Sequence, residues 1–118
     1  MMTTLVLRLQ AGEALRPAIE AAVRAAGDES SCMAAFVLSG IGSLDQLELR
    51  LAGAEQVLRL DAEFEILTLA GSIAANGSHL HMSIADAQGR VLGGHAGLGC
   101  RVRTTAEILL ALLPDWDL

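Results

Sequence analysis

Apolar side chains recur at every second position in Leu5, Leu7 and Leu9, so Thr4 to Leu9 is predicted to be a strand with one buried face. The period then lengthens. Gly12 and Glu13 open a segment in which Leu15, Ile19, Ala22, Val23 and Ala26 fall at helical spacing, with Gly27 placed as a C-cap. Pro17 sits in the first turns of that helix, where a missing amide hydrogen costs little. The continuous apolar run from Met33 to Leu38 suits a buried strand, and Ser39 to Leu44, rich in glycine, reads as a tight bend after it. Leu47, Leu49 and Leu51 alternate with Glu48 and Arg50 as a half-buried strand. Ala52-Gly53-Ala54 turns the chain, and Val57 to Leu60 returns it. A long β stretch from Glu63 to Ala74 ends at Asn76-Gly77. Two further strands, Ser78 to Asp86 and Arg90 to Leu98, are joined at Ala87-Gln88-Gly89.

The C-terminal run supports two readings. Thr104 followed by Glu107 forms a capping box, and Ile108 to Leu113 has helical propensity. The same residues suit a buried strand stopped by Pro114, and periodicity alone does not separate the two. Without repeats or low-complexity linkers, residues 1–118 are expected to form a single α+β domain, dominated by an antiparallel sheet with at least one helix packed on it.

Composition narrows the function classes. Hydrophobic residues make up 53% of the 118, too many for a disordered chain, yet charged residues or glycine interrupt every run before it could span a membrane. The start, Met1 to Arg8, has no positive n-region and no small-residue cleavage site, so a cytoplasmic location is expected. Cys32 and Cys100 are too few for a disulfide framework and are expected to be small buried thiols. The formal net charge is −6 and all eight basic residues are arginine. Only Arg101 and Arg103 lie close together in sequence, which makes a poor footprint for a nucleic-acid backbone.

The chemistry that stands out is a histidine trio. His79 and His81 are two residues apart in a strand, so they project from one face. The connection Asp86-Ala87-Gln88-Gly89-Arg90 suits a three-residue hairpin loop with Gly89 in the left-handed position. Pairing Asp86 with Arg90 then sets His81 directly opposite His95, with Cβ atoms roughly 4.5–5.5 Å apart. Ser83, Ala85, Val91, Gly93 and Gly97 share that face, while Leu80, Met82, Ile84, Leu92, Ala96 and Leu98 form the core face. A slip of one residue would turn His95 into the core.

Three neutral imidazoles are a natural first set of ligands for zinc or another divalent transition metal, with a fourth position open to water, a carboxylate or a neighbouring subunit. Asp86, Glu65 and Glu107 are the carboxylates available to support them. The plainer alternative is a patch of half-buried polar residues satisfied by backbone and water, or lying at a subunit contact. Other templates fail. Ser39-Gly40-Ile41-Gly42-Ser43-Leu44 lacks the GK[ST] ending of a phosphate loop, Ser39 and Ser43 have no nucleophile elbow, and Cys100 has no partner base. Glu63 and Glu65 flank Phe64 as a solvated strand edge rather than a catalytic dyad.

The segments Ser39 to Leu44, Phe64 to Gly71, His79-Leu80-His81, Gly89 to His95 and Thr104 to Ile108 stand in the order and spacing of the PPC domain (plant and prokaryote conserved domain), which the chain resembles over nearly its whole length. The resemblance implies a mostly antiparallel sheet of about seven strands with one or two packed helices, assembled as a homotrimer. It also implies that Ile108 to Leu112 is a strand. Plant members follow AT-hooks and mediate assembly and partner binding; prokaryotic members often carry a DNA-binding label without a settled biochemical role. No Arg-Gly-Arg-Pro hook occurs in this sequence, and Ala62-Glu63-Phe64 stands where the plant pattern reads Gly-Arg-Phe. Both departures argue against direct DNA binding. Three functions therefore follow in order: a cytoplasmic homotrimeric module with a His-lined metal or small-ligand site, acting in gene regulation through other proteins; a DNA-binding regulator; and a metal-dependent hydrolytic enzyme.

Overall fold

Buried and exposed side chains alternate along much of the longer strands, and the core lies on the side to which Leu44, Leu47, Leu80, Ile84, Ile108 and Leu110 point. The computed structural model describes residues 2–27, 34–116 and 118. They form β1 (Thr3–Gln10), α1 (Leu15–Ala26), β2 (Ala34–Arg50), β3 (Leu58–Ala74), β4 (Gly77–Ala85), β5 (Val91–Ala96) and β6 (Arg101–Leu113). The strands make one antiparallel sheet in the order β1-β6-β2-β3-β4-β5. The far end of β2 also pairs with β5, through Leu49 opposite Ala96 and Arg50 opposite His95. That second pairing closes β2, β3, β4 and β5 into a ring at one end of the sheet.

Leu15, Ile19 and Val23 recur every fourth residue of α1 and are all buried against the sheet. Gly27 closes the helix as expected, its N–H donating to the carbonyls of Arg24 and Val23 at 3.2 and 3.3 Å. Its φ of −81° is extended rather than left-handed.

The α+β class and the antiparallel sheet agree with the sequence reading, but six strands are present among the described residues rather than about seven. The glycine-rich Ser39–Leu44 segment does not bend between two strands. It lies within β2, whose register against β6 shifts between Val37 and Ser39 and again between Gly42 and Leu44. Bulges thus absorb what the glycines suggested was a turn. A Cβ at Gly42 would lie 2.7 Å from the Cα of Ala106, so close strand approach explains that glycine. Val57 to Leu60 and Glu63 to Ala74 likewise merge into β3, which begins at Leu58.

The ambiguous C-terminal run is a strand. β6 lies between β1 and β2, where hydrogen bonds are available along both edges, and Ala106, Ile108, Leu110 and Leu112 are buried at every second position. Sheet pairing overrides the helical propensity of the leucines. Leu92 and Leu98, expected in the core, are 38% and 58% exposed, because Leu92 lies on a short strand at the sheet's edge and Leu98 lies beyond β5. Cys100 is buried, with its Sγ 3.4 Å from both the N–H and the carbonyl of Glu48; Cys32 and Met33 lie outside the described residues. Among the described residues no helix is long and apolar enough to cross a membrane.

Leu110→Ala should therefore cost about 2–5 kcal/mol in urea unfolding, the range for deleting a buried leucine side chain. Leu98→Ala should change stability by less than about 0.5 kcal/mol. Equal losses in the two variants would mean that the core is misassigned at this end of the sheet.

Candidate functional site

The site depends on the loop between β4 and β5. The Asp86 N–H donates to the Arg90 carbonyl at 2.9 Å, and the Gly89 N–H donates back to the Asp86 carbonyl at 3.0 Å. Gly89 has φ +79°, the left-handed conformation expected of it. The Asp86 carboxylate accepts from the backbone N–H groups of Gln88 and Arg90, both at 2.9 Å, and from Arg90 Nε at 2.8 Å. The backbone bond from Arg90, with its guanidinium and the Gln88 N–H, holds the Asp86 carboxyl below its ordinary pKa. Closed in this way, the loop pairs Ala85 with Val91 and, four residues along, His81 with His95.

The expected register is therefore present. The His81 and His95 rings meet edge to face with centroids 4.4 Å apart. His79 projects from the same face of β4 two positions away, and across β3 the partners of His79 and His81 are the small residues Ser72 and Ala70. Gly71, between those two, is held at φ +134°, and a Cβ there would collide with the His79 carbonyl. Glycine at this position thus permits the tight β3–β4 approach beneath the histidines. Leu80, Met82, Ile84 and Ala96 are buried on the opposite face, as expected.

Burial lowers the pKa of His95, and the neighbouring His81, Arg50 and His79 lower it further, which favours the neutral imidazole that metals require. Arg50 was not evident as a neighbour in the sequence. It faces His95 only because β2 reaches round to β5, a contact between residues distant along the chain. The three carboxylates considered as support lie elsewhere. Asp86 is held in its loop, Glu65 pairs with Ala85 at the far end of β4, and Glu107 lies across from Arg8 and Ile41. Among the described residues no three His, Cys, Asp or Glu side chains are already gathered for one ion. The imidazole donors suit a borderline metal in kind, with His81 and His95 in contact and His79 beside them.

The remaining candidates are engaged structurally. Ser43 Oγ accepts the Thr104 N–H at 3.1 Å, and Glu63 holds Arg103 at 3.0 Å. Arg101, the other member of the close basic pair, is held by Asp45 at 2.7 Å. With Arg16, Arg59 and Arg90 also facing carboxylates, five of the eight arginines stand in ion pairs.

The family model for the Plants and Prokaryotes Conserved (PCC) domain matches residues 1–114. The chain belongs to that family. A Synechococcus protein described as bifunctional protein GlmU is 47% identical over 105 residues, which cover 89% of this chain but only 16% of that protein; the chain thus spans about a sixth of its length. A hypothetical protein of Salmonella, solved by crystallography, is 35% identical with a TM-score of 0.89, covering 97% of this chain and 80% of its own. Two more distant structures share the PCC fold. A metal-containing protein of Archaeoglobus fulgidus is 23% identical with a TM-score of 0.71, covering 95% of this chain and 81% of its own. A protein of Bacteroides thetaiotaomicron, described as a candidate DNA-binding protein, is 16% identical with a TM-score of 0.76, covering 99% and 85%.

The Asp86 loop has a pH signature. Because the folded-state pKa lies below the ordinary value of 3.8, the carboxylate stabilises the PCC domain fully above that value and loses its effect as pH falls through the folded pKa. The stability gap between wild type and Asp86→Asn should be constant near neutrality and shrink below about pH 4, as read by chemical unfolding across pH. A gap unchanged down to pH 2 would contradict the assigned bonds.

Proposed function

We propose that this PCC domain is a binding and assembly module, a homotrimer whose subunits each carry a site formed by His79, His81 and His95 for zinc or another divalent transition metal, or for a small ligand. The observation that carries the reading is the contact between His81 and His95 at 4.4 Å, on a face where His79 stands beside them and small residues surround them. A shared ion requires the exposed His79 side chain to turn toward the pair, a rotamer change that a surface residue makes freely. When bound, the metal would supply Lewis acidity and an open coordination position. The metal-containing Archaeoglobus relative agrees with this reading at the level of the shared fold.

The trimer rests on exposed apolar surface. Phe36 and Ile41 on β2 are 44% and 58% exposed, and Leu38 on β2 and Leu67 on β3 are exposed as well, apolar surface that association would cover. The Synechococcus relative, in which the matching segment is part of a longer protein, agrees with a module that works alongside other protein units.

Direct DNA binding is the second reading, favoured by the description of the Bacteroides structure. Charge opposes it. A trimer of this chain carries three times −6, or −18, and most of the arginines already face carboxylates.

Wild-type protein purified without tag or chelator should contain close to one metal ion per chain, and His81→Ala should lose it. Metal retained in the variant would remove the histidine site from the account. Sedimentation at micromolar concentration should give a trimer, and titration with duplex DNA at low salt should be flat. A monomer in the first case, or salt-sensitive binding in the second, would contradict the reading.

A further inference from the structure

Asn76 is the only asparagine in the chain, and glycine follows it. The pair lies at the tip of the β3–β4 hairpin, where Ala75 and Asn76 form the two-residue turn between Ala74 and Gly77. Asn76 is exposed. Gly77 has φ +133°, and beyond its chain neighbours no heavy atom lies within 4 Å of the place a Cβ would take. We infer that Asn76-Gly77 is a site of spontaneous deamidation, a covalent modification that turns the asparagine amide into a carboxylate and part of the chains into an isoaspartyl form. The inference is independent of the histidine site.

Water is the only co-reactant the chemistry needs. The Gly77 backbone nitrogen attacks Cγ of Asn76, and its proton departs with the side-chain nitrogen as ammonia. The new N–Cγ bond closes a cyclic imide as the Cγ–Nδ2 bond breaks. Water then opens the imide at either carbonyl. Opening at Cγ leaves aspartate with the main chain unchanged. Opening at the Asn76 backbone carbonyl leaves isoaspartate, whose main chain runs through Cβ and Cγ and is longer by one atom. Either route exchanges one ammonia for one water, with no electrons transferred. Two features of the position favour the first step. A Cβ on the following residue would crowd the attacking nitrogen, and glycine has none. A hairpin tip is also where the backbone departs most easily from its folded conformation, which the attack requires. Gln88-Gly89 is the other amide–glycine pair, but glutamine must close a larger ring, and its loop is tied by the Asp86 carboxylate.

The place of the turn decides what each product does. From it the ladder runs through Ala74 with Gly77, Ile73 with Ser78 and Ser72 with His79, without a shift. Ser78 Oγ donates to Glu20 at 2.9 Å and so ties the hairpin to α1. Turn length sets hairpin register, so an extra main-chain atom in the isoaspartyl form displaces the first of these pairs and draws Ser78 from Glu20. The aspartyl form adds only a charge on an exposed turn. The two products therefore differ in stability.

Peptide mass spectrometry of the full chain, incubated folded at neutral and at mildly alkaline pH, tests the inference, with isoaspartate read by enzymatic methylation. The mass gain of an amide-to-acid conversion should appear in the peptide that holds Asn76, rise in rate with hydroxide, and include both products. Asn76→Gln should stay unconverted over the same period. Gly77→Ala should convert several-fold more slowly than wild type when both are unfolded in urea, a comparison that strain at the positive φ does not touch. The isoaspartyl fraction, separated by chromatography, should melt several degrees below wild type, whereas Asn76→Asp should melt close to it. No conversion in the folded protein under conditions that convert the unfolded chain would overturn the inference, because the turn would then protect the pair. Conversion of Asn76→Gln, or of unfolded Gly77→Ala at the wild-type rate, would overturn it as well. An isoaspartyl fraction that melts with wild type would overturn the effect assigned to the longer turn.

Discussion

The hydrogen bonds that Asp86 makes to its own loop are the constraint on which the site depends. One carboxylate gathers two backbone N–H groups and a guanidinium, and in doing so fixes how far β5 is offset from β4. A strand has a side-chain period of two, so a slip of a single residue would exchange every inward and outward side chain on β5. In the observed register Ala96 enters the core opposite Leu49, His95 turns outward opposite His81, and β5 completes the ring with β2. The same offset therefore serves packing on one face and chemistry on the other.

Ion pairs hold most of the arginines at the surface. Away from the histidines, arginines and carboxylates are matched: Arg59 with Glu48, Arg90 with Asp86, Arg101 with Asp45 and Arg103 with Glu63. These pairs brace strand ends and loops. Glu48, whose pKa is lowered by the Gly99 N–H and Arg59 against the opposing effect of burial, also holds the turn that leads from β5 into β6. Nearer the histidines, Arg50 lies opposite His95 and Arg16 faces Glu20 at 3.7 Å.

Much of this was legible in the sequence wherever local rules governed. The alternation in β1 and β4, the helix with Leu15, Ile19 and Val23, and above all the Gly89 loop follow from periodicity and turn chemistry, and the pairing of His81 with His95 follows from that loop. What was not legible depends on distant parts of the chain. The glycines of Ser39–Leu44 look like a bend until β6 lies beside them, where they serve bulges and close approach instead. Ile108 to Leu113 suit a helix until β1 and β2 offer hydrogen bonds on both edges. Leu98 looks like core because nothing local marks where β5 ends. Arg50 becomes a neighbour of His95 only through ring closure, for which the sequence carries no signal.

The central claim is that His79, His81 and His95 act as one site. The most direct measurement is a crystal structure of the zinc-soaked protein with diffraction collected on both sides of the zinc absorption edge. The account predicts an anomalous peak between the His81 and His95 rings, with His79 turned toward it and ring nitrogens about 2.0–2.1 Å from the ion. An anomalous map without a peak there, with the two rings still packed edge to face and His79 directed to solvent, would contradict it.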